Sequence, residues 1–505
     1  MKLSVLLKDV ELPPARLIKS AVDPEINRVV EDSRQVGPGD LFVARRGTRH
    51  RGESFVQEAL SRGAAAVLLA DQPTSRARLE ERDVSAEELL ARLAHRLRGE
   101  PARGLTIFAV TGTNGKTTIS YLVRAICKAA GQRCGLISTV EIDDGAAVRE
   151  SVMTTPGPVE LADLLAEMKS NGAGFVSMEA SSHALDQGRM AGLPVAVAMF
   201  SNLTGDHLDY HGTMENYAAA KARLFAGLSA GAAAIINADD PWSSRMVEQT
   251  AARVIRYGLD SPADFKAEIL RMDAQGMTLR ITHPGGSPWT LTTELVGRHN
   301  AQNILCAAAA CASQGIAAPA IQLGIEQMCA VPGRLEAVLV EGVNRSELPF
   351  QVLVDYAHTH DALENVLRAV RPWTKGRIIC VFGCGGDRDA TKRPKMAAVS
   401  QRLADKVIIT NDNPRTEEPQ SIIDMIMAGL SREARAAVHV CPDRRAAIQA
   451  AVEEAREGDV VLIAGKGHER YQILGTVKHP FDDVAVARAA LAQRLAGLRR
   501  VEAAR

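Results

Sequence analysis

Thr111-Gly112-Thr113-Asn114-Gly115-Lys116-Thr117-Thr118 sets two glycines, a lysine and two adjacent threonines between an apolar run, Thr106 to Thr111, and a helical pattern after Gly115. In that setting glycines let backbone N–H groups turn toward phosphate oxygens, and the helix N-terminus adds a favourable dipole. Lys116 offsets negative charge, and the Thr117 hydroxyl can ligate Mg²⁺. The strict phosphate-loop pattern has glycine where this chain has Val110, and the plain alternative is a Gly-Asn turn capping a helix. Phe175 to Glu179 reads as an apolar strand ending in a carboxylate. A carboxylate there faces the ligand crevice of an α/β sheet, so Glu179 reads equally as a Mg²⁺ ligand and as a solvated strand-end acid. Asp206, His207, Asp209 and His211 follow a further apolar run and suggest metal or phosphate contact, although His211 suits a helix cap as well. Lys221 lies in an amphipathic helical pattern, which by itself reads as a solvated lysine.

The elements that must position these groups are βα units. Strands are predicted at 106–111, 174–180, 195–200 and 232–237, with a helix from Gly115 to near Gly131 and another over 214–228. A second series begins near Phe350: QVLVDY, a helix to Arg371, RIICVFG, KVIITND, VHVC and DVVLIAG, the pattern of another open α/β sheet. Polar stretches around Pro332-Gly333-Arg334 and Glu341 to Pro349 read as a linker, and Gly99 to Gly104 as the exit from a smaller N-terminal unit. The expected fold is α/β in three domains: a small N-terminal α/β unit over 1–101, a central P-loop parallel-sheet domain over 102–335 and a Rossmann-like domain over 336–505.

The 505 residues suit about three domains, and 46% hydrophobic with 24% charged residues excludes a disordered chain. Sixty Lys plus Arg balance sixty Asp plus Glu, so the overall basic field of a bulk nucleic-acid binder is missing. Eight cysteines without a C-x-x-C pair read as reduced, mostly buried thiols. Lys8 interrupts the N-terminal apolar run too early for a signal segment, and no run is long enough to span a bilayer, which predicts a cytoplasmic protein.

Taken in order, TGTNGKTT, MTTPGP, EASSHAL, DHLDYHGTMENYAAAKARLF, NADDP, GRHNAQN, PGRLE, VDYAH, FGCGGDRD, KRPKM, TNDNPR and GKGHE resemble the blocks of the Mur ligase family of ATP-dependent amide-bond-forming enzymes. Their collinearity over nearly the whole chain is far more specific than any one of them. With the N-terminal segment Asp32 to Val43 and MTTPGP, the resemblance implies addition of meso-2,6-diaminopimelate to UDP-MurNAc-L-Ala-D-Glu through an acyl phosphate, in peptidoglycan precursor synthesis, by a monomer using ATP and Mg²⁺.

Residue by residue, the resemblance makes Gly112, Thr113, Asn114, Gly115, Lys116, Thr117 and Thr118 the phosphate loop. It makes Thr117, Glu179 and His207 metal contacts, and Lys221 a carbamoylated lysine at the metal site. Asn303, Arg334 and Asp355 would contact the nucleotide. Ser33, Thr154, Thr155, Ser181, Gln187 and Arg189 match contacts of the UDP-linked dipeptide, with Thr48, Arg49 and His50 near the uridine side. The cluster Arg45, Arg46, Arg49 and Arg51 reads as a solvated face or as diphosphate steering. Two departures stand out, Arg51 before Gly52 where the family usually has aspartate, and His360 where it has proline.

For the incoming amino acid the resemblance points to Arg388, Asp412, Asn413, Pro414, Arg415, Gly465 and Glu469. Diaminopimelate carries a second carboxylate that a permanently charged, bidentate arginine suits, whereas lysine has none there. That makes Arg415 the discriminating residue and gives Glu469 the distal ammonium, while DNPR alone also reads as a turn with a surface arginine. Competing expectations are an L-lysine-adding ligase, a folylpolyglutamate-synthase-like ligase, and, from another class, a P-loop ATPase that makes no product.

Overall fold

The computed structural model describes residues 1–8, 10, 16–45, 51–70, 86–328 and 330–503. Arg46, Thr48, Arg49, His50 and Cys329 lie outside the described residues. Near the N-terminus a four-stranded sheet runs Leu17–Lys19, Ala66–Leu69, Asp40–Ala44, Arg28–Val30, with only the first strand antiparallel. The helix Ala86–Leu97 packs Leu90 and Leu93 onto Leu41, Val43 and Leu68.

The phosphate-loop segment belongs to an eleven-stranded sheet. Seven of its strands are parallel, side by side in the order Cys134–Ile137, Phe175–Glu179, Thr106–Thr111, Val195–Phe200, Ala233–Asn237, Arg253–Gly258, Phe265–Asp273. From Thr106–Thr111 the chain first builds one side and then crosses to the other. That reversal leaves a crevice at the C-terminal end of Thr106–Thr111, where open α/β sheets bind ligands. The helix Lys116–Ala129 starts there, and Ile119, Leu122, Val123 and Ile126, at 3–4-residue spacing, anchor it in the core.

A purely parallel central sheet does not hold. Phe265–Asp273, Gly276–Thr282 and Trp289–Thr293 form an antiparallel meander at one edge, and Glu141–Asp143 and Val148–Glu150 add antiparallel strands at the other. The physical reason is alternation: Met277, Leu279 and Ile281 are buried while Arg280 and Thr282 are exposed, the pattern of a half-covered strand on a short hairpin. The predicted helices and strands otherwise stand within a few residues of expectation.

The third sheet runs Glu336–Ala337, Gln351–Asp355, Val460–Ala464, Ile378–Phe382, Lys406–Ile409, His439–Val440, parallel apart from its first strand. Three neighbouring strands therefore end side by side, and the loops that follow them carry FGCGGDRD, TNDNPR and GKGHE. The described cysteines are free, Cys127, Cys306, Cys311, Cys380 and Cys384 being buried. No described helix is long and apolar enough to cross a membrane.

Candidate active site

The crevice at Thr106–Thr111 opens into a cavity of about 570 Å³ whose walls include the loop 113–118, Glu179, His207, Lys221, Asn303, Arg334 and Asp355. Residues far apart in the sequence thus converge. Gly112 and Gly115 take positive φ, 144° and 89°. A Cβ at Gly112 would lie 1.9 Å from Ser201 Oγ, and one at Gly115 would lie 2.4 Å from Asn303 Oδ1. The loop is pressed against the nearly fully buried helix Arg298–Ser313, which presents Asn303. Gly115→Ala should therefore destabilise the fold by about 2 kcal/mol, from left-handed strain plus displacement of Asn303, and the urea midpoint reads it.

Lys116 Nζ donates to the carbonyls of Gly112 at 2.9 Å and Thr113 at 2.8 Å. Lys221, on the helix Met214–Ala226, is not solvated: it is 1% exposed, donates to the same Gly112 carbonyl at 2.9 Å and lies 4.5 Å from the Tyr217 ring centroid. Burial pushes its pKa well below the ordinary lysine value and neighbouring Lys116 pushes it further, with Asp206 alone opposing. Two ammonium groups on one carbonyl repel, so the site favours Lys221 as a neutral amine.

Glu179 is fully buried rather than a solvated strand-end acid. Its Oε1 accepts from Thr139 N at 2.8 Å, and its Oε2 lies 3.1 Å from the Thr139 hydroxyl, which is also 3.0 Å from Thr154 Oγ1. Thr139 was missed from sequence, and its only signal is its place just beyond the strand Cys134–Ile137. Asp206, which the sequence marks with His207 for metal or phosphate contact, lies beside that histidine; burial pushes its pKa up, but His207, His358 and Lys116 outweigh this and hold it below the ordinary carboxylate value. His207 itself takes a positive φ of 53° and remains 45% exposed.

The third domain reaches into this cavity. Arg334 stacks on Tyr356 at 4.6 Å, and its Nη2 donates to Thr117 Oγ1 at 3.1 Å. Asp355 lines the cavity, but its carboxylate accepts from Leu335 N at 2.7 Å and Ala357 N at 2.8 Å, so it pins the linker to the third sheet. His358 stands in the wall beside it, its Nδ1 2.9 Å from Tyr356 O. His360 begins the helix His360–Val370, which Thr359 caps, so histidine replaces proline at a first helical position without breaking the turn.

Thr154 and Ser181 also line the cavity. Ser181 N donates to Thr155 Oγ1 at 3.0 Å, and Arg189 ties Thr155 O at 2.9 Å to Gln187 Oε1 at 2.6 Å. Ser33 stands apart from that chain, in a groove of about 1180 Å³ shared by the N-terminal unit and the segment Arg149 to Glu167, where its hydroxyl donates to Glu58 Oε2 at 2.8 Å. Arg45 spends its charge on Glu31 and Glu87, whereas Arg51 is exposed.

The amino-acid set collects at the strand ends of the third sheet. Gly465 takes φ 116°, and a Cβ there would meet Asp412 Oδ2 at 2.6 Å. Asn413 Nδ2 donates to Glu469 Oε2 at 2.8 Å. Arg415, at φ 55°, donates from Nη1 to Gly386 O at 2.8 Å, and its backbone pairs with the hairpin Tyr471–Leu474/Val477–Pro480. Pro414 is buried between Asn413 and Arg415, and Arg388 is exposed, donating to Asp387 O at 2.9 Å.

Among the described residues no three His, Cys, Asp or Glu side chains converge as a ready metal cluster. The donors present are nonetheless those a hard divalent ion takes, the Thr117 hydroxyl, the Glu179 carboxylate and the His207 ring. A carbamate on Lys221 would add two further anionic oxygens to that set.

Known proteins match along the whole length. Residues 25–98 match the Mur ligase family catalytic domain, 110–311 the Mur ligase middle domain, and 333–467 the Mur ligase glutamate ligase domain. The UDP-N-acetylmuramoyl-L-alanyl-D-glutamate–2,6-diaminopimelate ligase of Geobacillus kaustophilus is 44% identical over 500 residues, 98% of this chain and 100% of that protein. A solved structure of another UDP-N-acetylmuramoyl-L-alanyl-D-glutamate–2,6-diaminopimelate ligase superposes with TM-score 0.64 at 34% identity, covering 93% of this chain and 95% of that one. Folylpolyglutamate synthase of Mycobacterium tuberculosis, at 19% identity and TM-score 0.60 over 80% of this chain and 93% of its own, shares the fold alone. With identity at this level from end to end and all three domain matches in sequence order, this chain belongs to the Mur ligase family.

Proposed function

We propose that this chain is an ATP-dependent ligase that joins meso-2,6-diaminopimelate to UDP-MurNAc-L-Ala-D-Glu and releases ADP and phosphate, a step of peptidoglycan precursor synthesis. The observation that carries the reading is the near full-length 44% identity to a diaminopimelate ligase, in a chain whose linker sets Arg334 against the phosphate-loop threonine. The division of labour follows the chain: 1–101 for the uridine end, 102–335 for ATP, 336–505 for the amino acid. The protein works as a cytoplasmic monomer in this reading.

In the first step an oxygen of the D-glutamyl carboxylate attacks the γ-phosphorus of ATP, and the bond to the β-phosphate oxygen breaks, leaving ADP and an acyl phosphate. In the second the substrate's deprotonated amine attacks the acyl carbon, and phosphate leaves from the tetrahedral intermediate. Both reactants of the first step are anions, so the chief task of the protein is to offset charge and hold them in line. Lys116, the loop N–H groups and Arg334 supply that positive field. Mg²⁺, held by Thr117, Glu179, His207 and carbamoylated Lys221, would offset further phosphate charge when bound. Ser33, Thr154, Thr155, Ser181, Gln187 and Arg189 hold the UDP-linked dipeptide, and the third domain covers the acyl phosphate against water.

Positional isotope exchange in ATP tests the chemistry. Bridge-to-nonbridge scrambling that needs the UDP-linked dipeptide but no diaminopimelate is expected. Formation of AMP contradicts the acyl phosphate. An L-lysine-adding ligase is the second reading, and Arg415 argues against it, because lysine offers no carboxylate to that guanidinium.

A further inference from the structure

Lys466 has no part in the mechanism above, yet it is a fully buried cation at the amino-acid cluster. Its Nζ donates to Asn413 Oδ1 at 3.0 Å and to Glu469 Oε2 at 3.2 Å, and lies 3.8 Å from Asp412 Oδ1. Taking an ammonium out of water is costly unless such partners repay it. Buried Arg444, by comparison, also holds a backbone carbonyl, Ala464 O at 3.0 Å. Among the described residues Lys466 holds none, and each of its hydrogen-bond partners belongs to the cluster that receives the substrate.

These contacts fix the orientation of Asn413. Its amide oxygen accepts from Lys466 and, at 2.9 Å, from Ile473 N, so its amide nitrogen is the end that turns to Glu469 Oε2. Glu469 Oε2 is thereby filled twice, while Oε1 has no hydrogen bond among the described residues. The charges also resolve. Asp412 and Glu469 face one cation, Lys466, which leaves a single net negative charge. The other buried cation nearby, Arg444, is held by Asp483 in two hydrogen bonds of 2.8 and 2.7 Å.

We infer that Lys466 is a specificity-determining positioning residue. By neutralising one of two carboxylates and locking Asn413 onto Glu469 Oε2, it leaves one carboxylate oxygen and one unit of charge for a single ammonium, the distal one of a diamino acid. Without it, that ammonium settles between Asp412 and Glu469, and the neighbouring carboxylate shifts out of register with Arg415. The inference rests on the assignment of Glu469 and Arg415 to the far end of diaminopimelate.

Steady-state kinetics of full-length Lys466→Met test it. The KM for diaminopimelate should rise about thirtyfold with the KM for ATP within about twofold, and the preference for diaminopimelate over lysine should fall about tenfold. A folded variant with an unchanged KM for diaminopimelate and unchanged preference overturns the inference. A crystal structure of the wild-type protein with diaminopimelate decides independently of how the variant folds. The distal ammonium on Glu469 Oε1 with Lys466 in place supports the inference. Lys466 displaced, with the ammonium between Asp412 and Glu469, overturns it while leaving the site assignment intact, and an amino acid bound away from this cluster overturns both.

Discussion

Lys221→Ala should lower kcat by about a thousandfold or more while KM for ATP changes little, and short carboxylates added to the assay should restore part of the loss. The expectation follows from where Lys221 sits. Its helix packs one turn against the phosphate loop, so that Nζ, 1% exposed, meets the Gly112 carbonyl already used by Lys116. A charged Lys221 there would face Lys116 at short range with only Asp206 to offset it. Burial and the neighbouring Lys116 push its pKa well down, which favours the neutral amine. A neutral amine can form an N–C bond to CO₂ and, on losing a proton, becomes an anion with two oxygens. One change of charge then turns a repulsive neighbour of the metal site into a ligand. Bicarbonate labelled with ¹³C should give a carbamate resonance in the wild-type protein that is absent from Lys221→Ala. Activity of the variant within about tenfold of wild type would remove the carbamate from the account.

Arg415→Ala should lower kcat/KM for diaminopimelate by about a thousandfold and leave the slow reaction with lysine nearly unchanged, so that the preference disappears. Arg415 is over-determined by its surroundings. Its positive φ is stabilised because its N–H donates to Ile473 O at 3.1 Å and its carbonyl accepts from Gly475 N at 2.8 Å, which fastens it to the hairpin. The guanidinium then reaches back to Gly386 O, in the loop that carries Arg388. Arg415 is thus held in a rigid frame beside the loop of Arg388, an arrangement that would suit a second substrate carboxylate in the proposed reading. Arg415→Lys should recover little, since an ammonium cannot offer a carboxylate two parallel N–H groups. Equal loss with diaminopimelate and lysine would mean that Arg415 only shapes the loop.

The phosphate loop and the βα order were legible because each depends on local pattern: an apolar strand, glycines, then a 3–4-residue helical stripe. The amino-acid cluster was legible only as motifs, and the sheet order explains why they meet, since Val460–Ala464 inserts between Gln351–Asp355 and Ile378–Phe382 and brings three loops to one edge. What escaped was set by burial. Lys221, which the family resemblance alone singles out, and Lys466 look by pattern like any surface lysine, and both are buried. Asp355, expected at the nucleotide, lines the cavity and also binds the backbone at Leu335 and Ala357, contacts that a linear reading does not contain. The meander after Phe265 carries its period-2 alternation in strands of 9, 7 and 5 residues on short turns, a local signal that stands outside the βα order.

The most direct test of the account is product analysis with the purified protein, ATP, Mg²⁺ and UDP-MurNAc-L-Ala-D-Glu, supplied in parallel with meso-diaminopimelate or L-lysine. The account predicts ADP, phosphate and a UDP-MurNAc-tripeptide of the diaminopimelate mass, with lysine incorporated far more slowly. Equal incorporation of the two amino acids, or ATP turnover with no peptide product, would contradict it.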